Sequence, residues 1–598
     1  MARPGDPDTA VTDPEPPAVP TNDEIVELPE TAGAWARVRE AASGLRPAWK
    51  AVGAYLLYQG LAVWIWVVPI LPVFGREHLG TGLQDSRYYQ WALAWTPWAL
   101  AHGLDPLHAS SVFAPTGVSL AWSAFVPGPA LVAWPITAAF GPLVSLNVLL
   151  AVAPALAAWA TYLVCNRLTH RFWASFAGGC LFGFSAYQGA NMMGFINLVL
   201  VFPIPLLLYL AIRRVEGSLG PVAFVAGFTA LLVGLFSIST ELFGTATVFG
   251  AIAFLGALVV GTQIRRTLLR TGALILLSGA IAAVLLLPYI HAIFVDAPDR
   301  PIRQADVASP DLMSLIVPPP VIRAGGTALE PTLKRSMEYP RSNGQSYVGF
   351  AALAMVVAFA ITERRRRITW ALVGFVALSL ILTLGPVLHV AGRPHGVLPE
   401  RAFALLPFLA GAIPARLALY TALAVAVIAA LWLAWGRGGW AWLRWVVVAV
   451  VVASVFPFPP HHAGTVEVPA FFTSDQVAQE IGEGEIVYVI PAEKGEEMLW
   501  QALAGFRFRL AQGYIGPIPP ELDTGRMAQG LHLRKVPDPP TPEEFAAWTQ
   551  QRGVTAVILD DGARDRFADL VAAAGLTPVY QGGGVSVWRR PDTAAPPG

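Results

Sequence analysis

AVGAYLLYQGLAVWIWVVPILPVF, residues 51–74, runs without a single charged side chain. A helix rises about 1.5 Å per residue, so roughly 20 apolar positions cross the hydrocarbon core of a bilayer. This stretch is long enough. Immediately before it lies WARVREAASGLRPAWK (35–50), with Arg37, Arg39, Arg46 and Lys50. Cations at the entrance of a first span favour a cytoplasmic start. Further upstream, Asp6, Asp8, Asp13, Glu15, Asp23, Glu24, Glu27 and Glu30 share the first thirty residues with one cation, Arg3. A secretory signal begins positive and turns apolar at once, so this is not one. Residues 1–50 read as a disordered, acidic cytoplasmic tail.

The pattern of 51–74 recurs along the chain. Apolar candidates follow at 143–165, 172–190, 194–213, 220–238, 241–260, 271–293, 346–363, 369–392, 412–436 and 438–457. Alternate turns carry arginine: NRLTHR (166–171), RRVEGS (213–218), TQIRRTLLR (262–270), ERRRR (363–367) and GRGG (436–439). The intervening turns, QGANMM (188–193) and SIST (237–240), do not, which is the positive-inside arrangement. Residues 124–141 are apolar but broken by Pro127, Pro129 and Pro135, and read as a re-entrant or interfacial element. The expected fold is a polytopic α-helical membrane protein of about 11 transmembrane helices, N-terminus cytoplasmic and C-terminus extracytoplasmic. Composition agrees: 598 residues are 55% hydrophobic and 13% charged, at mean hydropathy +0.54, against about 25% charged in soluble domains. Forty cations balance forty acids, which leaves no net charge for nucleic acid. Cys165 and Cys180 sit in apolar runs and read as small core residues. Arginine far outnumbers lysine, and alanine, glycine and proline abound, which points to a bacterial plasma membrane.

Three segments carry the mass outside the bilayer: 75–142, 294–345 and 458–598. The last switches character. EIVYVIPA (485–492) and VTAVILDD (554–561) read as strands, TPEEFAAWTQQRG (541–553) and GARDRFADLVAAAG (562–575) as helices, so a small C-terminal extracytoplasmic α/β domain is expected. EMLWQALAGFRFRLAQGY (497–514) is its most aromatic and basic part and the segment favoured for contacts with an acceptor or partner. No glycine-rich phosphate loop occurs in it. In 294–345, Asp296, Asp299, Arg300, Arg303, Asp306 and Asp311 mix signs as a solvated loop does, and its length suits a substrate lid.

The first of these segments holds the chemistry. Asp85 and Arg87 precede an aromatic helix from Tyr88 to His102, expected to lie along the outer face. Asp85 reads either as a helix-capping residue or as a general base for an acceptor hydroxyl. Asp105, before Pro106, carries a strong turn signal. Arg416, in GAIPARLALY, lies at an outer span start where no topological rule asks for a cation; a guanidinium there grips phosphate bidentately. Arg393 and Arg401 are weaker candidates of the same kind. Glu241 stands where two spans meet, and an acid at the edge of an apolar segment needs a partner or water. Asn191 and Asn197 offer hydrogen bonds to sugar hydroxyls or to neighbouring helices. His108, His291, His389 and His395 show no metal-ligand spacing and His461 and His462 are adjacent, so no structural zinc is expected; a divalent cation held by carboxylates stays open without a D-x-D in the first loop to support it, and no cofactor is assigned.

DSRYYQWALAWTPWALAHGLDPLHASSVFAPTGVSLAW (85–122), FGFSAYQGANMMGFINLVLVFPIPLLL (182–208), SISTELF (237–243), SPDLMSLIVPP (309–319) and LPFLAGAIPARLALYTALA (406–424) together resemble the GT-C superfamily of membrane glycosyltransferases. The resemblance covers most of the membrane part through diffuse motifs. It implies a polyprenyl-phosphate sugar donor, a glycan, lipid or protein acceptor in the cell envelope, and a catalytic acid in the first loop at Asp85. Many members pair that acid with a second; here Ser86 follows, which implies a single base. Arg416 would hold the leaving phosphate, with Glu241, Arg87, Asp105 and Asn197 in substrate contact. The rival readings are a flippase for a lipid-linked glycan, set against by the lack of repeated halves, and a noncatalytic assembly subunit.

Overall fold

The computed structural model describes residues 48–80, 83–297, 309–329, 331, 344–405, 409, 411–457, 468–492, 495–516, 527, 531 and 540–591. The tail 1–47, the charges Asp299, Arg300, Arg303 and Asp306, and the 461–462 histidine pair lie outside these residues.

Helices dominate. In chain order they are α1 (Ala48–Val73), α2 (Leu83–Ala101), α3 (Pro127–Thr169), α4 (Phe172–Gly183), α5 (Ala186–Asn191), α6 (Ile196–Val199), α7 (Pro203–Val215), α8 (Pro221–Ile238), α9 (Thr240–Val260), α10 (Arg265–Leu285), α11 (Leu287–Val295), α12 (Phe350–Thr362), α13 (Arg367–Thr383), α14 (Ala418–Trp435) and α15 (Ala441–Val455). Among the described residues, eight helices are long and apolar enough to cross a membrane, and α13 and α15 are shorter apolar helices. The difference from eleven has local causes. The 172–190 run stops at Phe184, and Ser185 accepts from the Gln188 N–H to begin the short α5. The 438–457 run yields only the 15 residues Ala441–Val455, whereas the 194–213 run is kept as the candidate span Ile196–Val215, formed by α6 and α7 in succession. The first loop holds a short antiparallel pair, β1 (His108–Ala109) and β2 (Val118–Ser119); the 369–392 run ends at Thr383, and its remainder enters a hairpin of β3 (Val387–Val390) and β4 (Arg393–Val397). The proline-rich 124–141 segment is helical from Pro127, then breaks at Gly141 (φ 84°), a backbone conformation suited to glycine.

The turns expected on one face touch one another. Arg167 pairs with Glu216 at 2.5 Å, and Arg444, just past the 436–439 turn, pairs with Glu363 at 3.0 Å. The 414–435 helix is central, with 89% of its apolar window buried; the 240–260 helix is peripheral, with 11%. Val222, Val259 and Leu276 are exposed apolar side chains on α8–α10. Such a surface belongs against lipid. The chain is a multi-pass membrane protein.

Residues 468–591 build a five-stranded sheet in the order β6-β5-β7-β9-β8, with β5 (Ile486–Ile490), β6 (Arg509–Leu510), β7 (Ala556–Asp560), β8 (Thr577–Gly582) and β9 (Val585–Arg589). β5 is parallel to β6 and β7, and β9 is antiparallel to β7 and β8. The sheet carries α16 (Glu496–Leu503), α17 (Pro542–Gln551) and α18 (Arg564–Ala573). The two runs read as strands form β5 and β7, and their near-continuous burial fits central strands. Thr541 and Glu544 close a capping box at the start of α17.

This sheet is bound to the first loop through backbone. Leu510 N–H donates to Ser111 O (2.8 Å), Ala114 N–H to Leu510 O (2.9 Å) and Phe113 N–H to Gln512 O (3.3 Å), so 111–114 extends the sheet past β6. Gln501 donates to Ser111 O at 2.7 Å and accepts from the Trp91 indole at 3.1 Å. Phe506 packs on Trp91, Trp95 and Trp98 of α2, and Arg87 pairs with Glu496. The 497–514 segment, favoured for contacts with an acceptor or partner, contacts the first loop of its own chain.

Beside that pair Glu497 is buried, and burial pushes its carboxyl from 4.5 to about 8, the Glu496 charge adding to the rise. Between those two values the unfolded chain has released the proton and the folded chain still holds it, so folding stability should fall as pH rises from 4.5 to about 8. Glu497→Gln should flatten that slope in thermal unfolding of the detergent-solubilised chain. Identical slopes in both proteins would show that Glu497 is ionised in the fold.

Candidate functional site

Asp85 lies in the first turn of α2, half-buried, where the partial positive charge of the helix end favours a carboxylate. Its approach is fixed. Asn147 of α3 accepts from Leu79 N–H (2.7 Å) and donates to the carbonyls of Phe74 (2.8 Å) and Glu77 (2.9 Å), holding the turn that leads to α2. At Gly80 (φ 102°) a Cβ would come within 2.4 Å of the Met192 carbonyl, so glycine is required there.

Residues 85, 88 and 89 share one face of α2, since positions three and four apart stack on a helix. The buried Tyr88 hydroxyl donates to Ser123 Oγ at 2.8 Å; burial holds it above the usual phenol range, with Tyr289 and Asp85 pushing the same way. Tyr89 donates to Asn197 Oδ1 at 2.6 Å, which ties the Asp85 helix to α6. The opposite face carries Ser86, Arg87 and Gln90. Next to it is His78, which burial lowers to about 4, so this imidazole is neutral near pH 7.

Arg416 and Glu241 are brought together as an ion pair at the starts of the central helix and of α9. Glu241 Oε1 also accepts from Ile413 N–H at 3.2 Å, so both carboxylate oxygens hold the 413–416 turn. The Tyr187 hydroxyl is within electrostatic reach of both charges. Around them Asn191 donates to Tyr187 O (2.8 Å), Gln345 to Asn191 Oδ1 (2.8 Å), and Gln188 to Val199 O (3.2 Å). A polar belt therefore runs from Asp85 through Tyr89 and Asn197, across α6 and α5, to Tyr187 and Arg416. Among the described residues, Arg416 Nε, the Tyr187 hydroxyl, Gln188 Oε1 and Gln345 Oε1 are buried there without a hydrogen-bond partner. Buried polar groups rarely stay unpaired, and each calls for a partner such as water or a ligand.

The other sequence candidates sit apart from this belt. Arg87 faces Glu496 across the sheet contact, and Asp105 is exposed and accepts from Leu107 N–H in its own turn. Arg393 and Arg401 are exposed. Asp311 is not the solvated loop charge expected: it is buried, accepts from Met313 N–H (2.9 Å) and Gly392 N–H (2.7 Å), and locks its segment to the β3–β4 hairpin. Sequence reading missed Tyr187 and Gln345, whose only signal was polarity at a span boundary. Among the described residues no three His, Cys, Asp or Glu side chains gather in a way that would hold a metal.

With that geometry in view, a family model described as a domain of unknown function, DUF6311, matches residues 56–401. The chain belongs to that family. No curated protein matches it. Among solved structures, the arabinofuranosyltransferase AftD from Mycobacteria is similar at TM-score 0.53 and 16% identity, over 91% of this chain and 40% of that one. This chain thus spans well under half of AftD's length. The archaeal oligosaccharyltransferase AglB from Archaeoglobus fulgidus, in complex with an inhibitory peptide and a dolichol-phosphate, gives 0.45 at 11% identity, covering 92% and 75% of the two chains. ArnT from Cupriavidus metallidurans, bound to undecaprenyl phosphate, gives 0.40 at 12%, covering 91% and 99%. The likeness to AftD is one of fold.

A buried ion pair broken on one side leaves an uncompensated charge, at a cost of about 3–5 kcal/mol, whereas apolar replacement of both partners is far milder. Arg416→Met alone should lower the unfolding temperature in detergent sharply, and Arg416→Met with Glu241→Leu should recover most of the loss. Equal losses in the single and double variants would mean the pair does not hold the two helix starts together.

Proposed function

We propose that this chain is a membrane glycosyltransferase of GT-C type. It takes a sugar from a polyprenyl-phosphate donor and passes it to a hydroxyl of a cell-envelope glycan, lipid or protein on the extracytoplasmic face of a bacterial plasma membrane. The observation that carries the reading is the buried Arg416–Glu241 pair with unpartnered polar atoms around it, linked by a polar belt to the helix that begins with Asp85. The shared GT-C fold supports the same class of chemistry.

The donor's phosphate would seat on Arg416 at the polar end of the helix bundle, its prenyl tail in the apolar part. The acceptor O–H gives its proton to the Asp85 carboxylate, and its oxygen attacks the anomeric carbon in line with the departing group. The bond from that carbon to the phosphate oxygen breaks, and the electron pair leaves with the phosphate. Arg416 then stabilises the added charge, more effectively in a water-poor site than in solvent. Glu241 acts through Arg416, fixing its position. The Tyr187 hydroxyl can donate to a phosphate oxygen, and the Oε1 atoms of Gln188 and Gln345 can accept from sugar hydroxyls.

Asp85→Asn keeps the shape and removes the base. Transfer of labelled sugar from a polyprenyl-phosphate donor in membrane vesicles should drop at least about 100-fold, with the protein still present at wild-type level. Unchanged transfer would reject Asp85 as the base. Donor translocation across liposomes by a wild-type chain that transfers no sugar would reject the enzyme reading in favour of a flippase.

A further inference from the structure

A cavity of about 610 Å³ lies away from the Arg416 cluster, along one face of α15. Its walls include Trp445, Ala449, Val452 and Phe456, with Ala177 of α4 opposite and Arg323 at one end. Positions 445, 449, 452 and 456 recur at helical spacing, so the trough follows the helix for about 16 Å. Its volume falls within the roughly 300–1,000 Å³ typical of ligand sites. Alanines at 177, 449 and 453 create the hollow, since larger side chains there would fill it.

Arg323 is exposed and, among the described residues, is the one charged residue of the lining, with no carboxylate beside it there. Its place is fixed by the backbone, as Arg323 N–H donates to Phe456 O at 3.0 Å, just beyond the end of α15. The opposite end of α15 lies near Arg437 and Arg444, so Arg323 belongs to the other membrane face. An apolar trough about half a bilayer long, ending in a guanidinium at headgroup depth, matches an acyl chain attached to an anionic phosphate.

The trough does not open into the site described above. Val451 and Val455 project from another face of α15, and the space they share with Tyr187 and Gln345 is only about 30 Å³. That admits about one water and no lipid chain. A donor bound at Arg416 therefore has no passage through the described part of the bundle to lay its tail here. We infer that this groove binds one anionic glycerophospholipid of the surrounding bilayer, its phosphate on Arg323 and one acyl chain along α15. The inference goes beyond the glycosyltransferase reading and stands without it.

Native mass spectrometry of the purified full chain, supplied with phosphatidylglycerol or phosphatidylcholine, tests it. Wild type should retain one phosphatidylglycerol with about five-fold preference, the effect of one cation near an anionic headgroup. Arg323→Ala should lose the preference. Ala449→Trp, or the milder Ala453→Leu, should reduce retention of both lipids while the protein still elutes as a single sharp species. Equal retention of the two lipids by wild type, or an unchanged preference in Arg323→Ala, would overturn the assignment. Displacement of phosphatidylglycerol by polyprenyl phosphate would overturn it too, by giving the groove to the donor.

Discussion

A charge placed in an apolar bundle must be paired, and that requirement organises this protein. Arg416 and Glu241 stand at the starts of two helices that are otherwise uncharged, and each alone would be far more costly than the two together. The pair fixes where the central helix begins, because Glu241 also binds the backbone at Ile413. Among the described residues, unpartnered polar atoms gather around the pair at the same end of the bundle. The rest of the candidate site is arranged around that point.

The second element of the arrangement is the suspension of α2. A carboxylate can act as a base only where its helix is held, and α2 is held on two sides. Tyr89 ties it to Asn197 within the membrane part, while Arg87, Trp91 and the aromatic cluster around Phe506 tie it to the α/β layer. The three backbone hydrogen bonds between 111–114 and 510–512 bind the same loop to the sheet. The C-terminal layer is thereby part of the support for Asp85, whatever else it binds.

Much of this was legible in the sequence because membrane helices announce themselves locally. Twenty apolar residues flanked by arginine leave few alternatives, and α8, α9 and α14 fall close to where they were expected. The departures occur where length and hydropathy are ambiguous. Residues 172–190 look like one span, yet the run is cut at Ser185, and the polar side chains of the short α5 that follows line the belt. Arg416 and Glu241 were each visible as misplaced charges, but not as a pair, since 175 residues separate them and only the fold joins them. Arg87 looked like a substrate contact and faces Glu496 instead. Asp311 looked solvated and is a buried bracket, because its partner, the Gly392 N–H, comes from a hairpin that hydropathy alone reads as membrane helix.

The account depends on a phosphate meeting Arg416. Electron cryomicroscopy of the full chain with polyprenyl phosphate measures this directly. The lipid phosphate should lie within hydrogen-bonding distance of the Arg416 guanidinium and the Tyr187 hydroxyl, with the Asp85 face of α2 turned toward the same space. A phosphate bound elsewhere on the chain, with Arg416 engaged by Glu241 alone, would contradict it.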